Sequence, residues 1–243
     1  MFNDEAGYGV KGDTFRVLDT LTEIGDATWF RIGDKDFATH LIRTDMLRRG
    51  HTLTETSLAI GARFGLKTRV IPMTDDSVRT RFNTDAGELS FQEYFVRERL
   101  KPQLQGIAFA GIDSAHRTPD VSTALREADL VIIGPSNPLI SIAPILTLVR
   151  NELRRERTMA VTPIIGGVAL KGPTVEMMRA VGRMPDSVEV ARMYRDVAGT
   201  FVIDERDGDR ASAIEELGYR TVVCDTVMRD GGGKLAAALL SHV

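Results

Sequence analysis

The sequence predicts an α/β protein: a Rossmann-like, mainly parallel sheet with helices on both faces, plus a helical and β-hairpin insertion. Three observations carry that expectation. From Gly106 onward, short apolar runs alternate with segments of helical periodicity, the signature of βα units. Residues ahead of that point read instead as helices followed by a hairpin. The 243 residues, 43% of them hydrophobic, are enough for a substantial core, yet no uninterrupted apolar run reaches the length of a membrane span.

In chain order, DTFRVLDTLTEIG, DKDFATHLIRTDMLRRG and LTETSLAIGARFG read as three helices, the last two each stopped by a glycine suited to a helix C-terminus. KTRVIPM resembles a strand, and VRTRFNTDAGELSFQEYF a hairpin turning at Asp85-Ala86-Gly87. GIAFAG (106–111), DLVIIG (129–134), TMAVTPI (158–164), GTFVIDE (199–205) and YRTVVCD (219–225) are the strands expected in the parallel sheet. Helices are expected between them at 119–128, 141–156, 174–182, 187–197 and 209–218. The chain thus divides into an N-terminal part, 1–105, and an α/β core, 106–243, together one structural domain with a subdomain.

Composition narrows the partners. A net charge of −3 forces no basic face, which argues against nucleic acid. MFNDEAGYGV has no basic region followed by an apolar core, so no membrane segment is expected and the protein is read as cytoplasmic. The single cysteine, Cys224, makes neither an internal disulfide nor a cysteine metal cluster, and reads as a buried small hydrophobe in a reduced compartment.

Ligands of open parallel sheets gather at the carboxyl ends of strands. GPSNPLIS occupies such a position: Gly134 ends the apolar run, Pro135 and Pro138 stiffen the turn, and Ser136 and Asn137 offer donors and acceptors. A capped strand-to-helix turn explains the same residues. VTPIIGGVALKGP repeats the arrangement, with Gly166 and Gly167 able to bring backbone N–H groups close to a ligand and Lys171 able to neutralise phosphate. A Gly-Gly pair is equally a common turn. Together the two loops suggest a phosphate or nucleotide cleft. Asp75 and Asp76 after VIPMT suit magnesium, which takes one or two carboxylates and fills its other positions with phosphate and water; an acidic turn is the alternative. Asp36, His40 and Arg43 share one face of the helix that starts near Asp34, as a solvated amphipathic face also would.

GDTFRVLDTL, WFRIGDKDFATHLIRT, VIPMTDD, FQEYFV, IGPSNPLISIAPIL, TPIIGGVALKGP and DTVMRD follow one another as in the 2-phospho-L-lactate transferase family of deazaflavin coenzyme biosynthesis, and the chain resembles a bacterial member of it. The resemblance implies an enzyme that moves a phospholactyl or phosphoenolpyruvyl group from a guanosine diphosphate-linked three-carbon acid to 7,8-didemethyl-8-hydroxy-5-deazariboflavin. GMP leaves with help from Mg²⁺, and a homodimer is expected. It further implies that Ser136, Asn137 and Pro138 help hold the donor, that Arg31 contacts the deazaflavin, and that His40, Arg43 and Thr44 lie near the same cleft. Asp75 or Asp76 would hold the metal, and Lys171 or Arg43 would balance phosphate charge.

Family members carry a strand, a glycine-rich turn, a GDD-like motif and an SPDLDT-like motif ahead of the segment matched by GYGVKGDTF. None of these stands in this sequence. The expectation is a chain with unpaired strand edges, prone to associate and poor at binding deazaflavin. A nucleotide-sugar or dinucleotide-binding regulator of the same fold, or an inactive truncated homologue, are the alternatives.

Overall fold

The computed structural model describes residues 9–26 and 29–242, so the opening segment read for a leader lies outside the described residues. Two glycine–aspartate pairs organise the first helices, α1 (Arg16–Glu23) and α2 (Asp34–Arg48). The Asp34 carboxylate accepts the N–H groups of Arg16 and Val17, each at 3.1 Å, and the Thr14 hydroxyl at 2.5 Å. Asp13 Oδ1 accepts the N–H of Lys35 at 2.9 Å. Each aspartate therefore satisfies orphan donors at the start of the other's helix. The Thr14 hydrogen bond is the main cause holding the Asp34 carboxyl below its usual range. A Cβ at Gly33 would lie 2.0 Å from Asp13 Oδ2, so any side chain there would have to move that carboxylate.

α3 (Leu53–Arg63) opens on a capping box: Thr52 Oγ1 accepts the Glu55 N–H at 3.1 Å and the Glu55 carboxylate accepts the Thr52 N–H at 2.8 Å. The two expected glycine stops are present, Gly50 and Gly65 both lying at positive φ. KTRVIPM, expected as a strand, is not one. It runs unpaired on the surface with Val70 55% exposed, and its end is tied by a single bridge from Thr74 to Arg117.

A three-stranded antiparallel sheet follows, ordered β2 (Gly87–Ser90), β1 (Arg79–Thr84), β3 (Leu104–Ala110). The hairpin turns where expected, with Thr84 opposite Gly87. GIAFAG was expected in the parallel sheet and is corrected here: within β3, Ile107 faces Phe82 in antiparallel register with β1. Phe82 is fully buried and stacks at 5.0 Å on Tyr94, which stands on a short π-helix, Glu93–Arg97.

The parallel sheet has the order β4 (Val131–Ile133), β5 (Thr158–Val161), β8 (Thr200–Asp204), β9 (Arg220–Cys224). Between β5 and β8 lie a two-stranded hairpin, β6 (Ile164–Ile165) and β7 (Val168–Ala169), then α6 (Thr174–Ala180) and α7 (Ser187–Tyr194). β5 and β8 are buried along their whole length, as strands covered on both faces must be. One face packs Ala160, Phe201 and Ile203 against Val190 and Tyr194 of α7 and Ile214 of α8 (Ala211–Glu215). On the other, Met159, Val161 and Val202 meet Leu235 and Leu239 of α9 (Gly233–Leu240). Cys224 packs beside this second cluster and is half-buried rather than buried. Burial, then the carboxylates of Asp204, Glu205 and Asp225, push its thiol up, away from nucleophilic thiolate character.

α4 (Pro119–Glu127) begins at Thr118, whose hydroxyl accepts the Val121 N–H at 3.3 Å. The long helix expected over 141–156 is replaced by a π-helix, Pro138–Ile142, then α5 (Ala143–Val149) and two 3₁₀ turns. Asn137 starts the helix early, and the arginine-rich end leaves it for other partners, as when Arg155 Nε donates to the Arg195 carbonyl at 3.0 Å.

The two sheets meet through α6. Its Met177, 1% exposed, belongs to the same cluster as Phe82, Tyr94 and Leu104.

Candidate functional site

A cleft of about 810 Å³ opens at the carboxyl ends of the parallel strands. The loop after β4 contributes Pro135, Ser136 and Asn137, and that after β5 contributes Thr162 and Pro163. The segment after β7 brings Leu170 to Thr174, and the loop after β9 brings Thr226, Val227, Met228, Arg229 and Gly231. Phe91, from the start of the helical turn after β2, closes one side and stacks on Phe95 at 5.4 Å. Among the described lining residues, Lys171 and Arg229 carry charge and no carboxylate does. The cleft is therefore electrostatically suited to an anion.

Asn137 is buried, and its side-chain oxygen accepts the N–H groups of Leu139 at 2.9 Å and Ile140 at 3.3 Å while Nδ2 lies 3.5 Å from Met177 Sδ. The capped-turn reading thus accounts for its carboxamide. Ser136 is exposed to the cleft beside it, Gly134 precedes the loop with its carbonyl accepting the Ser136 N–H at 2.8 Å, and Pro138 is the first residue of the π-helix. Gly166 and Gly167 form the tip of the β6–β7 hairpin, both at positive φ as a two-residue turn of this kind needs, and do not line the cleft. The Gly166 N–H donates to Asp207 Oδ2 at 2.9 Å.

The remaining expected residues lie off the cleft lining. Asp75 Oδ1 accepts the Thr54 N–H at 2.7 Å, near the start of α3, and Asp76 Oδ2 accepts the His116 N–H at 2.7 Å. On α2, Arg43 Nη1 and His40 Nδ1 are 3.4 Å apart, and Thr44 and Asp36 share that helix. The Arg31 guanidinium lies over the Phe15 ring at 4.4 Å. Each aspartate of the Asp75–Asp76 pair commits one oxygen to a backbone donor, and among the described residues no three His, Cys, Asp or Glu side chains converge as metal ligands. The pair does not line this cleft.

Thr162, Thr226, Arg229 and Phe91 were not singled out from the sequence. Thr226 and Arg229 fall in DTVMRD, and that motif's place directly after an apolar run is the signal that finds them. The Thr226 loop is fixed by Asp204, at the end of β8. Burial opposes ionisation of Asp204, but hydrogen bonds from Arg206 and from the Thr226 N–H and hydroxyl outweigh it and bring the carboxyl down to about 2.

Fold and cleft define an α/β protein whose parallel sheet, flanked by helices on both faces, carries an anion-suited site at its strand ends. The family described as 2-phospho-L-lactate transferase CofD matches residues 4–236. The 2-phospho-L-lactate transferase of Methanosarcina mazei is 36% identical over 223 residues, 91% of this chain and 74% of that protein. That of Methanopyrus kandleri is 39% identical over 94% of this chain and 74% of its own length, and that of Methanothermobacter thermautotrophicus 36% over 100% and 79%. A crystal structure of a UPF0052 family member from Bacillus halodurans shares the fold with a TM-score of 0.58 at 12% identity, covering 82% of this chain and 70% of that one. The chain belongs to the CofD family of 2-phospho-L-lactate transferases. No helix among the described residues is long and apolar enough to cross a membrane.

Proposed function

We propose that this chain transfers a phospholactyl or phosphoenolpyruvyl group from a guanosine diphosphate-linked donor to 7,8-didemethyl-8-hydroxy-5-deazariboflavin. One observation carries the reading: the charged residues among the described lining of the strand-end cleft, which is built from the family motifs, are the cations Lys171 and Arg229, which suits a diphosphate. The relatives' shared name, 2-phospho-L-lactate transferase, supports the reaction type. In this mechanism the acceptor hydroxyl oxygen bonds to the phosphorus distal to guanosine, its proton is released, and the bond from that phosphorus to the bridging oxygen breaks so that GMP departs. No covalent protein intermediate is needed. Ser136 and the two cations position the diphosphate and neutralise its charge, the terms that dominate such transfers. Magnesium dependence belongs to the proposal, with Asp75 and Asp76 as the pair to test, and no step is routed through the ion. A homodimer is likewise proposed, read by light scattering.

The test is transfer itself, with each donor, the deazaflavin and magnesium, reading GMP and product. Lys171→Met and Arg229→Met are expected to lower kcat/KM for the donor about tenfold or more each, the scale of a charge-assisted hydrogen bond. Absence of transfer with both donors, together with no GDP binding by calorimetry, would overturn the reading.

A further inference from the structure

The geometry points to a clamp beneath the cleft: Asp204, at the end of β8, and Asp207, in the 3₁₀ turn Glu205–Arg210 that follows it, are positioning residues that fix the two walls between which the proposed donor is held. This rests on the donor reading of the cleft only for what is held, not for how the walls are tied. β8 lies between β5 and β9, so its carboxyl end emerges between the hairpin that follows β5 and the loop that follows β9. Asp204, 2% exposed, accepts four hydrogen bonds. Its Oδ1 takes the Arg206 N–H at 3.1 Å and Nε at 2.7 Å, and its Oδ2 takes the Thr226 N–H at 3.1 Å and hydroxyl at 3.0 Å.

Asp207, 3% exposed, turns the other way. Its Oδ2 accepts the Gly166 N–H at 2.9 Å, and Arg210 Nε lies 3.6 Å from its Oδ1. Arg210 is itself held by Asp186 at 3.0 Å. Neither aspartate lines the cleft, yet the wall carrying Arg229 hangs from one and the hairpin leading to Lys171 hangs from the other. Burying two carboxylates is unfavourable unless donors satisfy them, and here the donors that cross from another segment are Thr226, which lines the cleft, and Gly166, at the tip of the hairpin that leads to Lys171. The arrangement holds the cations of the two walls at a set separation before ligand arrives. A wall that loosens leaves the binding-competent geometry only partly populated, and apparent affinity falls by that fraction.

The experiment uses the full chain with Asp204→Asn and Asp207→Asn, each of which turns an amide NH₂ toward a donor. Ile203→Val, a core change on the same strand, serves as a matched loss of stability without a lost anchor. Amide hydrogen exchange without ligand is followed by calorimetric titration with GDP, at a temperature where every variant is folded. Asp207→Asn is expected to speed exchange over residues 165–171 and leave 226–231 unchanged, with Asp204→Asn doing the reverse. Each is expected to raise the Kd for GDP about tenfold, while Ile203→Val leaves it within about twofold of wild type. Exchange that rises uniformly, as in Ile203→Val, would overturn the clamp, and so would loosened walls with unchanged GDP affinity. If the wild-type chain binds no GDP, the donor reading fails, and the exchange pattern alone decides the clamp.

Discussion

Asn137 illustrates how one side chain can satisfy two readings. Its oxygen caps the π-helix and its nitrogen reaches Met177, so both ends are engaged before any ligand is considered. Asn137→Ala should therefore lower stability by about 1 kcal/mol, the usual cost of an N-cap, in urea denaturation; an unchanged midpoint would return the residue to ligand binding alone. Asp204 supplies the pH dependence. Its folded-state carboxyl stands near 2 against an ordinary 3.8, so its stabilisation is present above 3.8 and is lost as pH falls toward 2. The stability difference between wild type and Asp204→Asn should shrink across that window, and a difference constant down to pH 2 would show that the charge is not its source. Ser136, Asn137 and Lys171 were legible because glycine and proline mark their loops. Thr226 and Arg229 stand in a motif whose place after an apolar run was readable, but their part in the cleft was not, because the aspartate that fixes their loop stands in a different strand.

At the scale of elements, local chemistry was readable where it was self-contained. The glycine stops after α2 and α3 and the Thr118-Pro119 start of α4 are satisfied by neighbouring residues, and the hairpin turn needs only its own sequence. KTRVIPM and GIAFAG failed for the same reason as each other: an apolar run says that a strand is affordable, not which strand lies beside it. The first finds no ladder, and the second pairs with the hairpin. The two glycine–aspartate pairs show a contact that motif spacing conceals, since Asp13 and Asp34 each serve the other's helix. Gly33→Ala would displace the Asp13 carboxylate and its bonds to the Thr14 and Lys35 N–H groups. A loss of about 1–2 kcal/mol is expected in chemical denaturation, and a neutral result would mean that Asp13 re-forms both bonds from another rotamer.

For the whole molecule, the α/β class was legible from alternating runs, whereas the separation into a parallel and an antiparallel sheet depended on pairing between distant segments. Their joint is Met177, buried against Phe82 and Tyr94. Met177→Ala should cost about 2–5 kcal/mol, with near-ultraviolet and far-ultraviolet signals still melting together if the sheets are one cooperative unit; separate transitions would show two. The same joint bears on synthesis at the ribosome. All three strands of the β2-β1-β3 sheet are translated before any parallel strand, but the methionine that completes their core comes later in the chain than β5. Until it emerges, the stacked rings of Phe82 and Tyr94 lack one of their covering side chains. The nascent antiparallel sheet is thus open at that side to capture by a chaperone or by another nascent copy, and pauses placed between β3 and α6 would lengthen that exposure.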